Sequence, residues 1–286
     1  MKIARFTEGD RTRLGVVLAD TGEVADVGSM DASLPTDLGD LLAAGSIADV
    51  VRHAANAPRL ALDSVRLEAP IARPPTILAI GLNYAAHVSE SGLPKPDAPI
   101  VFNKQITCVI GPDAGIEVPT VAPDWVDYEG ELAMVIGTAC RNVAAPDAAS
   151  VVAGYTIIND VSVRDWQRAT PTMTMGKSWD SHGPMGPWLV TADEIGDPHT
   201  LRLRTWVDGE LRQDANTSMM ITNCWELIAH LSTAFTLLPG TVIATGTPAG
   251  VGFVMDPPRC LKPGSICRIE IERIGVLQNP VVAQPA

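Results

Sequence analysis

The chain has few positive charges. Its 286 residues include 21 Lys and Arg against 33 Asp and Glu, which gives a formal net charge of −12. An acidic surface repels phosphate backbones, so we expect no nucleic-acid partner. An anionic small molecule could bind such a protein only where several cations lie close together.

The sequence also lacks paired cysteines and long apolar runs. Its five cysteines are an odd number with no C-x-x-C spacing, which is typical of neither a zinc site nor a secreted disulfide framework. No apolar stretch approaches the roughly 20 residues that span a bilayer. The first residues are charged and contain no apolar signal region. We therefore expect a cytoplasmic protein without membrane association.

Aromatic residues make up only 5% of the chain, whereas the 24 Gly and 23 Pro predict many turns and short strands. The hydrophobic fraction of 46% is enough for a large core. We predict an α+β fold that is mostly β. A Pro-rich segment near residue 70 separates a small N-terminal α/β cap domain, residues 1–70, from a larger domain, residues 71–286.

Local patterns place several elements. Runs rich in β-branched residues predict strands at Glu131–Ile136 and Gly154–Asn159. Asp208-Gly209, between two such runs, predicts a hairpin with a type I′ turn. Apolar residues at helical spacing predict a core helix over Trp225–Leu237.

Three acidic residues alternate along one strand. Because successive side chains point to opposite faces, Asp127, Glu129 and Glu131 are expected on the same face. Cβ atoms two residues apart lie roughly 7 Å from each other, a span that one cation can bridge between flexible Glu side chains. The alternative is that these charges protect the edge of a sheet against aggregation.

A further carboxylate, Asp160, ends an apolar strand that follows about thirty residues later. A carboxylate at the end of a buried strand is costly without a partner. Carboxylates without a nearby His or Cys ligand suit Mg²⁺, Mn²⁺ or Ca²⁺ better than zinc. Glu129, Glu131 and Asp160 are therefore candidate ligands of one metal ion, and the sheet-edge alternative for the two Glu residues stays open on spacing alone.

Six segments contain Gly, Pro and polar residues in a recognisable order. They are Gly81-Leu-Asn-Tyr-Ala-Ala-His, Asp127-Tyr-Glu-Gly-Glu, Gly154-Tyr-Thr-Ile-Ile-Asn-Asp-Val-Ser-Val-Arg-Asp, Gly176-Lys-Ser-Trp-Asp, Gly183-Pro-Met-Gly-Pro-Trp and Ala244-Thr-Gly-Thr-Pro-Ala-Gly-Val-Gly. Together they resemble the fumarylacetoacetate hydrolase family, in the family's order and over about residues 75–275. The resemblance implies that residues 71–286 form the catalytic domain, with a mixed β-sandwich roll. It also implies a homodimer, one Mg²⁺ or Mn²⁺ ion, and chemistry on a small-molecule oxo acid.

The resemblance also implies roles for individual residues. Metal ligands are Glu129, Glu131 and Asp160, and Lys177 is the active-site lysine. His87 and Glu90 match a pair that activates water. The residues expected to contact substrate are Arg164, Gln167, Thr247 and Tyr84. Read from the residues alone, Arg164 could instead simply pair with Asp160 or Asp165.

These residue types suit the cleavage of a carbon–carbon bond in an acylpyruvate or another 2,4-diketo acid. A divalent ion would polarise the ketone and stabilise the pyruvate enolate that cleavage releases. His87 oriented by Glu90 would serve as the base for water. The cations Lys177 and Arg164 would attract a dianionic substrate.

Two alternatives stay open. The same scaffold could decarboxylate or isomerise an oxo acid such as oxaloacetate or a hydroxymuconate, and the chain could also be a non-catalytic binding module stabilised by metal. The sequence departs from the family at Phe102-Asn-Lys-Gln, which leaves open whether Lys104 reaches the site. Asp127 is expected to support the metal ligands from outside.

Overall fold

The structure, a computed structural model, describes residues 1–285. Its strands in chain order are β1 (Lys2–Glu8), β2 (Arg11–Leu18), β3 (Glu23–Ala25), β4 (Arg59–Ala61), β5 (Arg66–Glu68), β6 (Ile77–Gly81), β7 (Ile100–Lys104), β8 (Val109–Ile110), β9 (Ile116–Val118), β10 (Val126–Asp127), β11 (Gly130–Ile136), β12 (Val152–Asn159), β13 (Ser162–Val163), β14 (Gly183–Thr191), β15 (Arg202–Val207), β16 (Glu210–Asn216), β17 (Val242–Ala244), β18 (Ile266–Ile271) and β19 (Gly275–Ala283).

The α-helices are short. They are α1 (Leu38–Ala43), α2 (Ile47–Ala54), α3 (Ala85–Ser91), α4 (Arg164–Ala169), α5 (Thr174–Lys177), α6 (Ala192–Ile195) and α7 (Cys224–Ala234). Strands occupy 36% of the chain, and helices, with the 3₁₀ helices included, occupy 25%, which confirms the mostly β prediction.

Two local predictions can be compared directly with the structure. Asp208 and Gly209 both have positive φ, 52° and 79°, as a type I′ turn requires. The predicted helix at 225–237 is α7, which Asn223 and Glu226 begin with a reciprocal capping box. The helix ends three residues earlier than predicted, because Leu237 leaves it to pair with Cys140 in an isolated β-bridge.

A large sheet organises the molecule, in the order β4-β3-β2-β1-β14-β12-β11-β17-β6-β7. A second sheet, β16-β15-β18-β19-β9, packs against it, as contacts of β15 with β11 and of β18 with β12 show. The short pair β10-β13 lies apart from both sheets. Sheet-on-sheet packing of this kind is the predicted sandwich.

Strand β11 is buried on both faces. Leu132, Met134 and Ile136 belong to the core between the two sheets, whereas Ala133 and Val135 belong to the core beneath the N-terminal helices. Sheets covered on both sides produce continuous apolar runs instead of alternation. The acidic residues therefore stand at the end of a strand that is otherwise entirely in the interior.

The N-terminal segment shares this architecture. Strand β1 pairs with β14 through Lys2 and Ile3, so that one sheet runs through both parts of the chain. Leu38 and Leu41 of α1 pack in the same core as Ala133. The boundary at residue 70 stays a prediction about independent domains. Within residues 1–285, the helices are all too short or too polar to cross a membrane.

Candidate active site

The three predicted metal ligands meet at one end of the β11–β12 pair. Gly130 of β11 is paired with Asn159 of β12, so Glu129, Glu131 and Asp160 reach the same place. The backbone N–H of Asp160 donates to the Glu129 carbonyl at 2.9 Å, which fixes the two chain segments together. One carboxylate oxygen from each acid lies within 4.8 Å of those from the other two.

This cluster fits a divalent cation. All three side chains are buried, with exposures of 5%, 1% and 0% for Glu129, Glu131 and Asp160. Burial, together with the nearby charges of Asp160 and Glu129, raises the pKa of Glu131 well above its ordinary value. Asp160 Oδ1 has no well-aligned hydrogen-bond donor among the described residues. The three carboxylates supply only oxygen ligands and carry excess negative charge, a combination that suits Mg²⁺ or Mn²⁺.

Cations already hold two of these carboxylates. Lys177 Nζ lies 2.7 Å from both Glu129 Oε2 and Asp160 Oδ2. Lys104 Nζ lies 2.7 Å from Asp160 Oδ1, and both partners are fully buried. Lys104, whose place the sequence left open, therefore contacts one of the predicted metal ligands.

Lys177 should therefore be a stabilising residue when no metal is bound. Its own burial, which alone would lower its pKa, is outweighed by Asp160 and Glu129, so the pKa lies above the ordinary lysine value. Lys177→Met leaves these carboxylates short of one buried partner. We expect the free energy of unfolding in chelator to fall by about 3–5 kcal/mol.

Chemical denaturation with and without Mg²⁺ measures this effect. Mg²⁺ should restore part of the lost stability, because an ion that binds only the native state stabilises it. Lys262→Met removes the same charge from an exposed position and serves as the control. Equal stability of Lys177→Met and the unsubstituted protein in chelator would contradict the bridging role.

Asp127 does not share the position of the other acids. The chain is irregular between β10 and β11, which breaks the alternation on which that prediction rested. Its carboxylate lies 2.8 Å from Arg164 Nη2 and accepts the backbone N–H groups of Gly252 and Phe253. Arg164 also pairs with Glu129 at 2.6 Å. The pairing of Arg164 with Asp160 or Asp165 considered from sequence is therefore wrong, and Asp127 orients Arg164.

A single loop, residues 246–252, positions three acidic side chains through its backbone. The N–H of Gly246 donates to Glu131 at 2.8 Å, that of Gly250 to Glu90 at 2.8 Å, and that of Gly252 to Asp127 at 2.9 Å. Gly250 has a φ of +106°, and a Cβ there would meet the Arg212 carbonyl at 1.9 Å. The glycines of this motif therefore allow the loop to pass close to the strands.

Helices α4 and α5 place the remaining polar residues. A Cβ on Gly176 would lie 2.1 Å from the backbone nitrogen of Gln167, so only glycine lets α5 approach α4 this closely. This approach brings Lys177 beside Arg164. The Gln167 amide oxygen accepts from Arg164 Nη1 at 2.9 Å.

His87 and Glu90 form the predicted pair on α3. His87 Nδ1 lies 2.7 Å from Glu90 Oε1, and the second oxygen of Glu90 accepts the N–H of Gly250. A carboxylate held at Nδ1 fixes the orientation of the ring and leaves Nε2 for proton transfer. This pair is the same arrangement that orients a general base in many hydrolytic sites.

A cavity of about 290 Å³ joins most of these groups. His87, Glu129 and Lys177 line it together, so the imidazole of the His–Glu pair and one acid of the predicted metal cluster share one space. The substrate contacts predicted from sequence that also line it are Arg164, Gln167 and Thr247. The remaining wall is largely apolar, formed by Ile80, Leu82, Leu93, Ile100, Phe102, Met173, Val251 and Phe253.

Two of the predicted substrate contacts, Thr247 and Tyr84, are already hydrogen-bonded or buried within the protein. Thr247 Oγ1 already donates to the Gly130 carbonyl at 3.1 Å and accepts from Gln213 at 2.8 Å. Tyr84 is only 1% exposed, and the cavity is lined by other residues. Substrate contacts by Thr247 and Tyr84 stay predictions.

The structure adds residues that sequence reasoning missed. Gln213, on β16, holds both the Thr247 hydroxyl and the Pro248 carbonyl. Arg168 lines the cavity one turn after Arg164 on α4. Its spacing of four residues from Arg164 was the available signal, because such residues share a helix face.

Comparison with known proteins agrees with the motifs. Residues 76–282 match the family described as fumarylacetoacetate (FAA) hydrolase C-terminal. A mitochondrial protein of Xenopus laevis named oxaloacetate tautomerase is 40% identical over 289 residues, which covers 99% of this chain and 90% of the relative.

Two solved structures are similar along nearly the whole chain. A fumarylacetoacetate hydrolase from Exiguobacterium antarcticum is 39% identical with a TM-score of 0.89, and the match covers 99% of this chain and 100% of that one. A maleylpyruvate hydrolase from Sphingobium, solved with manganese and pyruvate, is 34% identical with a TM-score of 0.81 and complete coverage of both chains. The predicted fold and resemblance are confirmed.

Proposed function

The chain belongs to the fumarylacetoacetate hydrolase family, and from this premise we propose that it is a divalent-metal-dependent enzyme that interconverts the keto and enol forms of an oxo acid of the oxaloacetate type. One observation carries the proposal: His87 and Glu129 line the same cavity, so a proton-transfer group faces the metal-binding cluster. Tautomerisation needs these two functions and no second reactant.

Each residue has a defined task. An ion held by Glu129, Glu131 and Asp160 would polarise the 2-oxo group and stabilise negative charge on its oxygen. His87 takes a proton from the carbon next to the ketone, and Glu90 stabilises the resulting imidazolium. His87 then gives this proton to the oxygen of the former ketone, which yields the enol. The apolar wall keeps bulk water away from the carbanionic species.

The charge of the cluster suits this substrate. The four carboxylates of Asp127, Glu129, Glu131 and Asp160 face the three cations Lys104, Arg164 and Lys177, which leaves one net negative charge when all are ionised. A divalent ion reverses this sign. The loaded site would then attract a dianion on a protein that is otherwise strongly acidic.

Two findings support tautomerisation over hydrolysis, the activity that the motifs alone favour. The Xenopus relative, which spans nearly the whole chain, is named for oxaloacetate tautomerisation. The cavity is largely apolar, which favours transfer of a proton within one bound molecule over the entry of water. The isomerase alternative is therefore the better supported one.

Ultraviolet absorbance of enol oxaloacetate tests the proposal. We expect the Mg²⁺- or Mn²⁺-loaded protein to accelerate decay of the enol above the spontaneous rate, and chelator to remove the acceleration. Pyruvate measured in parallel distinguishes decarboxylation. No acceleration by the loaded protein would overturn the proposed function, and stoichiometric pyruvate would replace it with decarboxylation.

Hydrolysis of an acylpyruvate is the second candidate, and the His87–Glu90 pair favours it. Such a pair can also activate water, and the manganese-containing Sphingobium structure is named maleylpyruvate hydrolase. Acetylpyruvate incubated with the loaded protein separates the two. Release of acetate faster than enol decay of oxaloacetate would make the hydrolase the primary activity.

The homodimer and the cytoplasmic location remain proposals. Light scattering coupled to size-exclusion chromatography tests the first, and fractionation of the producing cell tests the second.

A further inference from the structure

Arg168 stands apart from the other cations around the cavity. Arg164 and Lys177 each pair with two carboxylates, and His87 pairs with Glu90. Arg168 lines the same cavity, yet within residues 1–285 it has no carboxylate partner within 4.0 Å. It is thus the cavity cation whose charge is not already balanced.

The guanidinium of Arg168 is nevertheless held in place. Its Nε donates to the Arg164 carbonyl at 3.3 Å, and its Cζ lies 4.6 Å from the centroid of the Phe253 ring. A cation over an aromatic face is attracted by the ring. These contacts use Nε and the flat face of the group. The two terminal nitrogens make no hydrogen bond to other residues of the described chain, and they are the pair that binds a carboxylate in bidentate fashion.

The position of Arg168 matches the second end of a dicarboxylate. It follows Arg164 by four residues on α4, and both guanidinium groups lie against the Phe253 ring, with Cζ 5.7 Å and 4.6 Å from its centroid for Arg164 and Arg168. Arg164 pairs with Glu129 of the predicted metal cluster, whereas Arg168 has no acidic partner in the described chain, so Arg168 is the arginine available to a second acid group.

We propose that Arg168 binds the distal carboxylate of the substrate and thereby selects dicarboxylic over monocarboxylic oxo acids. This inference rests on the proposed function for its substrate class. Arg168 touches substrate without taking part in proton transfer, so it determines specificity. An exposed arginine at the mouth of the cavity also attracts a dianion from solution towards an acidic protein.

The test compares two unreactive 2-hydroxy acids that differ in the distal carboxylate, L-malate and L-lactate. Calorimetric titration of the Mg²⁺-loaded protein should show malate binding about tenfold more tightly than lactate. Arg168→Met should remove this preference and change lactate affinity by less than about twofold. Arg168→Lys, which keeps the charge without the planar fork, should retain part of it.

Arg52→Met on α2 removes one positive charge far from the cavity and is the matched control; it should bind both acids as the unsubstituted protein does. A malate preference that survives in Arg168→Met, or its absence from the unsubstituted protein, would overturn the assignment. Neither ligand tautomerises. Failure of the enol assay with an intact, Arg168-dependent malate preference would therefore refute the proposed activity alone.

Discussion

Asp160→Asn is expected to lower the rate of metal-dependent enol decay by about 10³-fold or more and to weaken Mn²⁺ binding strongly. An ion that polarises a carbonyl contributes several kcal/mol to transition-state stabilisation, and about 1.4 kcal/mol corresponds to a factor of ten in rate. Asp160 is fully buried and belongs to the group of carboxylates whose oxygens lie within 4.8 Å of one another. Its loss removes an anionic ligand that solvent cannot replace.

The substitution is conservative enough to separate binding from folding. Asn keeps one oxygen that can accept from Lys104 or Lys177, so the buried lysines retain a partner. Circular dichroism and thermal unfolding check that the fold survives. Asp214→Asn removes an exposed carboxylate that pairs with Arg202 and should leave turnover and Mn²⁺ affinity unchanged. Unaltered turnover of Asp160→Asn would refute the metal site.

His87→Ala is expected to reduce turnover by about 10² to 10⁴-fold, the usual contribution of a positioned general base. Mn²⁺ affinity should be unchanged, because His87 pairs with Glu90 and lies outside the group of three carboxylates. The two substitutions thus affect different functions. Asp160→Asn weakens metal binding and turnover together, whereas His87→Ala lowers turnover in a fully loaded site.

Two further variants complete this experiment. Glu90→Gln should cause a smaller loss than His87→Ala, because the ring remains but its orienting charge is removed. His230→Ala, on the exposed side of α7, is the matched control and should retain full activity. Normal enol decay with His87→Ala would mean that another group transfers the proton.

Much of the fold could be predicted from local patterns. The Asp208-Gly209 pair predicted the hairpin, because a type I′ turn needs two residues with positive φ and few residue types adopt it readily. Strand β11 was recognisable by its apolar content. Its continuous apolar run agrees with burial on both faces, but such a run by itself does not distinguish a buried strand from a buried helix segment. The way β1 joins the large sheet depends on long-range pairing, which has no local signal.

The residues of the site likewise include some that local patterns predicted and others that only the folded structure places there. Glu129 and Glu131 were suggested by spacing, and their motifs then linked them to Asp160, Lys177 and the His–Glu pair. Strict alternation wrongly placed Asp127 with the other acids, because the strand is interrupted between them. Its expected support of the ligands from outside agrees with its contact to Arg164, which pairs with Glu129. Lys104 is placed at the site only by tertiary contacts, whereas Arg168 had one local signal, its spacing of four residues from Arg164.

The central claim is that Glu129, Glu131 and Asp160 hold a divalent ion that serves oxo-acid chemistry in the cavity beside them. A crystal structure of the protein soaked with Mn²⁺ and oxalate, an unreactive mimic of the 2-oxo carboxylate end, tests it most directly. We expect anomalous density within coordination distance of all three carboxylates, with oxalate bound in the cavity that His87 lines. Manganese bound elsewhere, with these carboxylates still bridged only by lysine, would contradict it.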